Sequence, residues 1–115
     1  MTVTIYHNPR CSKSRETLAL LQEKGINPQV VEYLKEPPSA DIIATLLTQL
    51  GFTSARQLMR TKETIYKELN LSQESDEDKL RQAMSNHPKL IERPIVIRNE
   101  RARLGRPPEQ VLEIL

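Results

Sequence analysis

The 115-residue chain contains one cysteine, no tryptophan and only 3% aromatic residues. Each scarcity excludes a class of protein. A lone Cys11 cannot close an intrachain disulfide, supply a zinc cluster or cycle as a dithiol, and it suits a reducing compartment, so a cytoplasmic location and no bound metal are expected. So few aromatic rings leave no platform on which the bases of a nucleic acid could stack. The longest apolar run is Leu18-Ala19-Leu20-Leu21, far short of the roughly 20 residues of a membrane-spanning helix. The N-terminus opens on a β-like pattern rather than a charged-then-apolar leader, so neither a membrane partner nor export is expected. The net charge is +2, too weak an excess for a binder of polyanions.

What is present suits one folded domain. Hydrophobic residues at 37% and charged residues at 28% supply a single core, the length leaves room for little else, and the chain is expected to act as a monomer. Charge is unevenly spread. Glu74, Asp76, Glu77 and Asp78 form an acidic cluster, whereas residues 89–106 carry Lys89, Arg93, Arg98, Arg101, Arg103 and Arg106 against Glu92 and Glu100. A small anion is the natural guest of that basic half.

Residues 2–7 form a β-favouring run closed by Asn8-Pro9, and residues 12–24 carry Leu18 and Leu21 three apart, with Ala19 and Leu20 filling the same region, before Gly25, so a strand and a helix are expected. Residues 29–34, with Val30, Val31 and Tyr33, predict a second strand ended by Pro37-Pro38. Ser39 and Asp41 open a helix with an apolar stripe of Ile42, Ile43, Leu46, Leu47 and Leu50 that Gly51 stops. Ser54 and Gln57 have capping-box spacing for a short helix, and residues 76–85 predict another with its acids at the positive end. Residues 94–98 and 101–104 read as paired strands turning near Asn99-Glu100, and Pro107-Pro108 opens a last helix. The order is β-α-β, a helical insertion over roughly 36–92, then β-β-α. That is the thioredoxin-like arrangement of an α/β fold with a mixed four-stranded sheet, in one domain spanning 1–115.

Cys11 falls at the start of the first helix, where unpaired backbone N–H groups carry roughly half a positive charge and favour both a thiolate and an oxyanion. A buried, inert thiol is the alternative; the polar turn Asn-Pro-Arg-Cys-Ser-Lys-Ser favours the reactive one. Arg10, Lys13 and Arg15 add cationic side chains nearby in sequence. His7 either tunes the thiolate or is satisfied by backbone, and His87 suits a helix end or the surface. Ser14 stands where a Cys-x-x-Cys motif has its second thiol, so it can donate to sulfur but cannot resolve a disulfide. The phosphatase loop Cys-x5-Arg is excluded by Thr17. Any redox cycle begun at Cys11 must therefore be finished by a thiol from another molecule, such as glutathione. Arg93 before Pro94 and Arg106 after Gly105 occupy loops that can converge on one pocket, while Arg98, Arg101 and Arg103 suit solvated surface charge. A guanidinium stays charged and matches a tetrahedral oxyanion.

Four ordered motifs carry a resemblance across essentially the whole chain: His7-Asn8-Pro9-Arg10-Cys11-Ser12-Lys13-Ser14-Arg15, Leu58-Met59-Arg60, Glu92-Arg93-Pro94-Ile95-Val96 and Gly105-Arg106-Pro107. They resemble the glutaredoxin-coupled arsenate reductases of the ArsC family, and most strongly its short bacterial relatives. Ser12-Lys13 stands where the best-known members carry Gly-Thr. The resemblance implies Cys11 as nucleophile, His7 and Ser14 assisting the thiolate, Arg60, Arg93 and Arg106 binding the oxyanion, and a cis bond at Arg93-Pro94. It implies thiolate attack on arsenic with loss of water, attack by glutathione as co-substrate with release of arsenite, and reduction of the Cys11–glutathione disulfide by glutaredoxin, with no tightly bound cofactor. Two other functions fit the same residues: a monothiol thiol-transferase acting on glutathione mixed disulfides, and a binding module resembling the Spx regulators of RNA polymerase.

Overall fold

The computed structural model describes residues 2–115. The chain divides into two compact units, one formed by the chain up to Glu36 together with Arg93–Leu115, the other by Pro37–Glu92.

In the first unit, β1 (Val3–Tyr6) leads through the Asn8-Pro9-Arg10 turn into α1 (Ser12–Glu23), and β2 (Gln29–Val31) follows. Asn8 builds that turn: its side-chain oxygen accepts from the Arg10 N–H and its carbonyl from the Cys11 N–H, both at 3.0 Å, a local bond pattern that makes asparagine a turn residue. β3 (Ile95–Arg98) and β4 (Arg101–Leu104) return as a hairpin through Asn99, whose φ of 58° is the left-handed conformation asparagine tolerates. The sheet order is β2-β1-β3-β4, with β1 parallel to β2 and antiparallel to β3, which is antiparallel to β4. This mixed sheet is the thioredoxin-like fold. Ile5 lies opposite both Val30 and Val96. Val3, Ile5 and Val96 join Leu21 of α1 and Val111 and Ile114 of the closing segment in one core, with Leu18, Leu20, Ile26 and Leu115 packed at its margin.

Several elements differ from expectation. β2 ends at Val31 because the chain turns at once, the N–H groups of Lys35 and Glu36 bonding back to the Glu32 carbonyl; as an edge strand it leaves Val30 45% exposed. The last segment, Pro108–Ile114, is a 3₁₀ helix rather than an α-helix. Arg98 and Arg103 are tied down rather than merely solvated, Arg98 donating to the Ile114 carbonyl at 3.1 Å and Arg103 pairing with Glu113 at 2.9 Å. Both Arg93-Pro94 and Arg106-Pro107 are cis.

The second unit contains α2 (Ala40–Leu50), α3 (Thr64–Glu68) and α4 (Glu77–Asn86), with 3₁₀ turns at Ala55–Leu58, Leu71–Gln73 and Pro88–Leu90. Ser39 caps α2 by accepting from the Ile42 N–H, and Gly51 ends it at φ 78°, a conformation costly for any residue with a Cβ. α2 packs on α4 and buries Ile43, Leu46, Leu47 and Leu50. Ile42, expected in that stripe, lies outside it and is 47% exposed. α3 is only one turn long, too short to show a period in sequence.

Glu77 joins two helix beginnings. It stands in the first turn of α4, and its carboxylate accepts from the Ser54 hydroxyl at 2.8 Å and the Ala55 N–H at 2.7 Å. The Ala55 and Ser54 bonds hold its carboxyl below the ordinary glutamate range. A carboxyl depressed in the folded state contributes stability in full above its unfolded value and loses it as pH falls through the folded one. Glu77→Ala is therefore expected to cost about 1–2 kcal/mol in urea unfolding at pH 7. The difference from wild type shrinks below about pH 4; an equal difference at pH 7 and pH 3 contradicts the assignment.

Candidate active site

Cys11 is the N-cap residue of α1, with extended backbone angles, and is 8% exposed. Burial opposes its charged form and is the largest single influence on it. Acting together, the Ser14 N–H, the Arg93 charge, the Lys13 N–H and a hydrogen bond from the Arg93 side chain outweigh that burial and hold the thiol below its ordinary range. The positive charge thus comes from Arg93, distant in sequence. The side chains of Lys13 and Arg15, expected to help, are committed elsewhere: Lys13 lies 3.5 Å from the Glu16 carboxylate, and Arg15 donates to the Pro9 carbonyl at 3.0 Å.

Ser14 is fully buried. Its hydroxyl shares a 2.6 Å hydrogen bond with His7 Nδ1 and accepts from the Asn8 N–H at 3.0 Å. The sulfur therefore receives the Ser14 amide, whereas sequence pointed to the hydroxyl. His7 is buried at the end of β1, its N–H bonded to the Val31 carbonyl at 2.8 Å. Burial lowers its pKa, Glu32 partly restores it and Arg15 lowers it further, a balance that favours the neutral ring. His7, Ser14 and Asn8 brace the turn that presents Cys11.

Arg93 supplies the most telling feature. Its Nε and Nη1 are shielded from solvent, and among the described residues nothing accepts a hydrogen bond from either. Buried donors of a charged group are rarely left unspent, and a carboxylate-like or tetrahedral oxyanion is the acceptor a guanidinium matches. Arg106 is exposed beside it, with Nη1 3.4 Å from the Arg93 carbonyl. Cys11, Arg93 and Arg106 thus belong to one unit of the fold. Arg60 belongs to the other, where it pairs with Glu63 at 2.7 Å and Glu92 at 3.5 Å, and its N–H bonds to the Leu90 carbonyl. His87 ends α4. Among the described residues no group of three or more His, Cys, Asp or Glu is placed to hold a metal, and no helix is long and apolar enough to cross a membrane.

Fold and cysteine place the chain among single-cysteine proteins of the thioredoxin-like fold. Within that class it belongs to the ArsC family, whose model matches residues 6–114. It is 62% identical to the uncharacterized protein YfgD of Escherichia coli (strain K12), over 98% of this chain and 96% of that protein. It is 53% identical to an arsenate reductase of Haemophilus influenzae over 100% of both. The solved structure of an arsenate reductase from Vibrio cholerae matches with a TM-score of 0.97 and 60% identity, covering 100% of this chain and 98% of that one.

Arg93 is the charged side chain that favours the Cys11 thiolate. Alkylation of Cys11 by iodoacetamide is expected to have a pH midpoint below that of a free thiol, and Arg93→Ala moves it upward. The same midpoint in both proteins contradicts the assigned role.

Proposed function

We propose that this protein is an arsenate reductase with Cys11 as its nucleophile and Arg93 and Arg106 as ligands of the oxyanion. The observation that carries the reading is the pair of unspent buried donors on Arg93 beside a thiol biased toward thiolate. The arsenate reductase relatives and the ArsC membership support arsenate as the anion. Arg60 enters the proposal through its family motif.

The chemistry follows from the single thiol. The Cys11 thiolate attacks arsenic(V), forming an S–As bond as an arsenate hydroxyl takes a proton from solvent and leaves as water. The cationic guanidinium offsets the negative charge that would otherwise repel an anionic sulfur from an anionic substrate. Glutathione thiolate then attacks the Cys11 sulfur. An S–S bond forms, the S–As bond breaks, and its electron pair stays with arsenic, which leaves as arsenite, arsenic(III). Each sulfur has given up one electron. A glutaredoxin thiol attacks the glutathione sulfur and returns Cys11 as thiolate. With no second cysteine in the chain an outside thiol must complete the cycle; in this proposal glutathione is the co-substrate and glutaredoxin the partner. His7 and Ser14 assist by holding the turn from which the amides reach sulfur.

The test is arsenite release from arsenate with glutathione and glutaredoxin supplied. Cys11→Ser is expected to abolish it. Arg93→Ala and Arg106→Ala each lower kcat/KM by about 10- to 100-fold, the loss of one or two charge-assisted hydrogen bonds to the anion. Activity retained in Cys11→Ser sinks the reading. If both arginine variants keep full activity on a glutathione mixed disulfide while wild type leaves arsenate untouched, the protein is a monothiol thiol-transferase instead.

A further inference from the structure

Three stretches far apart in sequence meet around a position that has no side chain. Gly105, buried between β4 and the cis Arg106-Pro107 bond, donates its N–H to the Pro94 carbonyl at 3.0 Å. A Cβ built at Gly105 would overlap the Thr17 hydroxyl, stand 2.7 Å from Pro94 Cγ and 3.1 Å from Thr17 Cγ2. There is no room for a methyl group. Gly105 has no left-handed backbone angle to explain its identity, unlike Gly25 and Gly51, so the requirement is one of space.

Thr17 is itself fixed. It is fully buried in α1, and its hydroxyl donates to the Lys13 carbonyl at 2.8 Å. Its β-branched side chain has little rotamer freedom in a helix, and that bond selects one rotamer. Lys13 is one of the two residues whose amides reach the Cys11 sulfur. On the opposite side, Pro94 follows Arg93 directly, and Arg106 follows Gly105 and reaches back to the Arg93 carbonyl. One contact layer therefore joins the turn that holds the thiol to both loops that hold the arginines.

We infer that Gly105 and Thr17 are positioning residues: the bare Gly105 backbone, seated on Thr17 and Pro94, sets the separation between the Cys11 sulfur and the Arg93 guanidinium. The inference rests on Cys11 and Arg93 being the reacting thiol and its anion-binding partner. Neither positioning residue touches substrate. A methyl group at residue 105 must push Pro94, and Arg93 with it, away from α1, since close-packed interiors transmit such strain rather than absorb it.

The experiment titrates the Cys11 thiolate by its ultraviolet absorbance in folded, purified protein, a readout that loss of stability alone does not move. In Gly105→Ala the midpoint is expected to rise and the thiolate fraction at pH 7 to fall several-fold. In the arsenate assay KM rises by a larger factor than kcat falls. Adding Thr17→Ala to Gly105→Ala removes the overlap on the α1 side, so that the new methyl can move toward α1 and off Pro94, and returns the midpoint part of the way to wild type. A wild-type midpoint in Gly105→Ala overturns the inference, as does a double variant no closer to wild type than the single one. Should Gly105→Ala fail to fold, Thr17→Val carries the test. It replaces the hydroxyl with a bulkier methyl against Gly105 and is expected to raise the midpoint by a smaller amount; an unchanged midpoint there overturns the inference. The titration uses no arsenate, so its result stands apart from whether arsenate is reduced.

Discussion

A buried thiol becomes a nucleophile only if its charged form is stabilised more than burial penalises it. In this chain that balance is struck at Cys11, and much of the first unit serves it. Burial raises the cost of the thiolate, and two amides of the first turn of α1 together with one guanidinium more than repay it. The amides exist as free donors because a helix N-terminus leaves them without partners. Holding them in place takes the Asn8 turn, the His7–Ser14 bond and the Arg15 bond to the Pro9 carbonyl. The guanidinium arrives from the loop before β3, on the far side of the helical insertion in sequence, because the sheet sets β3 antiparallel beside β1.

The same arrangement explains why an anion suits the site. A thiolate beside Arg93 consumes part of its positive charge, yet Nε and Nη1 of Arg93 still have no acceptor. A buried charged donor without an acceptor costs more than most single contacts contribute. In the proposed function an incoming oxyanion accepts from those donors and meets the sulfur in the same step, so that binding and attack share one geometry.

How much of this was legible in the sequence depends on the range of the interaction. Local rules worked where local chemistry decides: Ser39 and Gly51 bound α2, Ser54 and Gln57 form the capping box, and the strand closed by Asn8-Pro9 and the hairpin at Asn99 lie where turn chemistry puts them. The position of Cys11 at the start of α1 followed from the same reasoning. Interactions between distant residues were hidden. Arg10, Lys13 and Arg15 stand next to the cysteine in sequence, but the charge it feels comes from Arg93. The Cys-x-x-Ser spacing points to the Ser14 hydroxyl, yet His7 and Asn8 take that hydroxyl and leave the amide for sulfur. Thr17 counted only as the absence of a phosphatase arginine, while in the fold it is the wall against which Gly105 rests. The one-turn α3 and the 3₁₀ closing segment lack the length or the period that a pattern needs.

The central claim, that Cys11 bonds to arsenic and releases it as arsenite when glutathione attacks the Cys11 sulfur, is tested most directly by acid-quenched mass spectrometry of the protein incubated with arsenate and glutathione but no glutaredoxin. The account predicts a glutathione mixed disulfide on Cys11 that forms only when arsenate and glutathione are both present. A Cys11 that stays unmodified under those conditions, or that becomes glutathionylated to the same extent without arsenate, would contradict it.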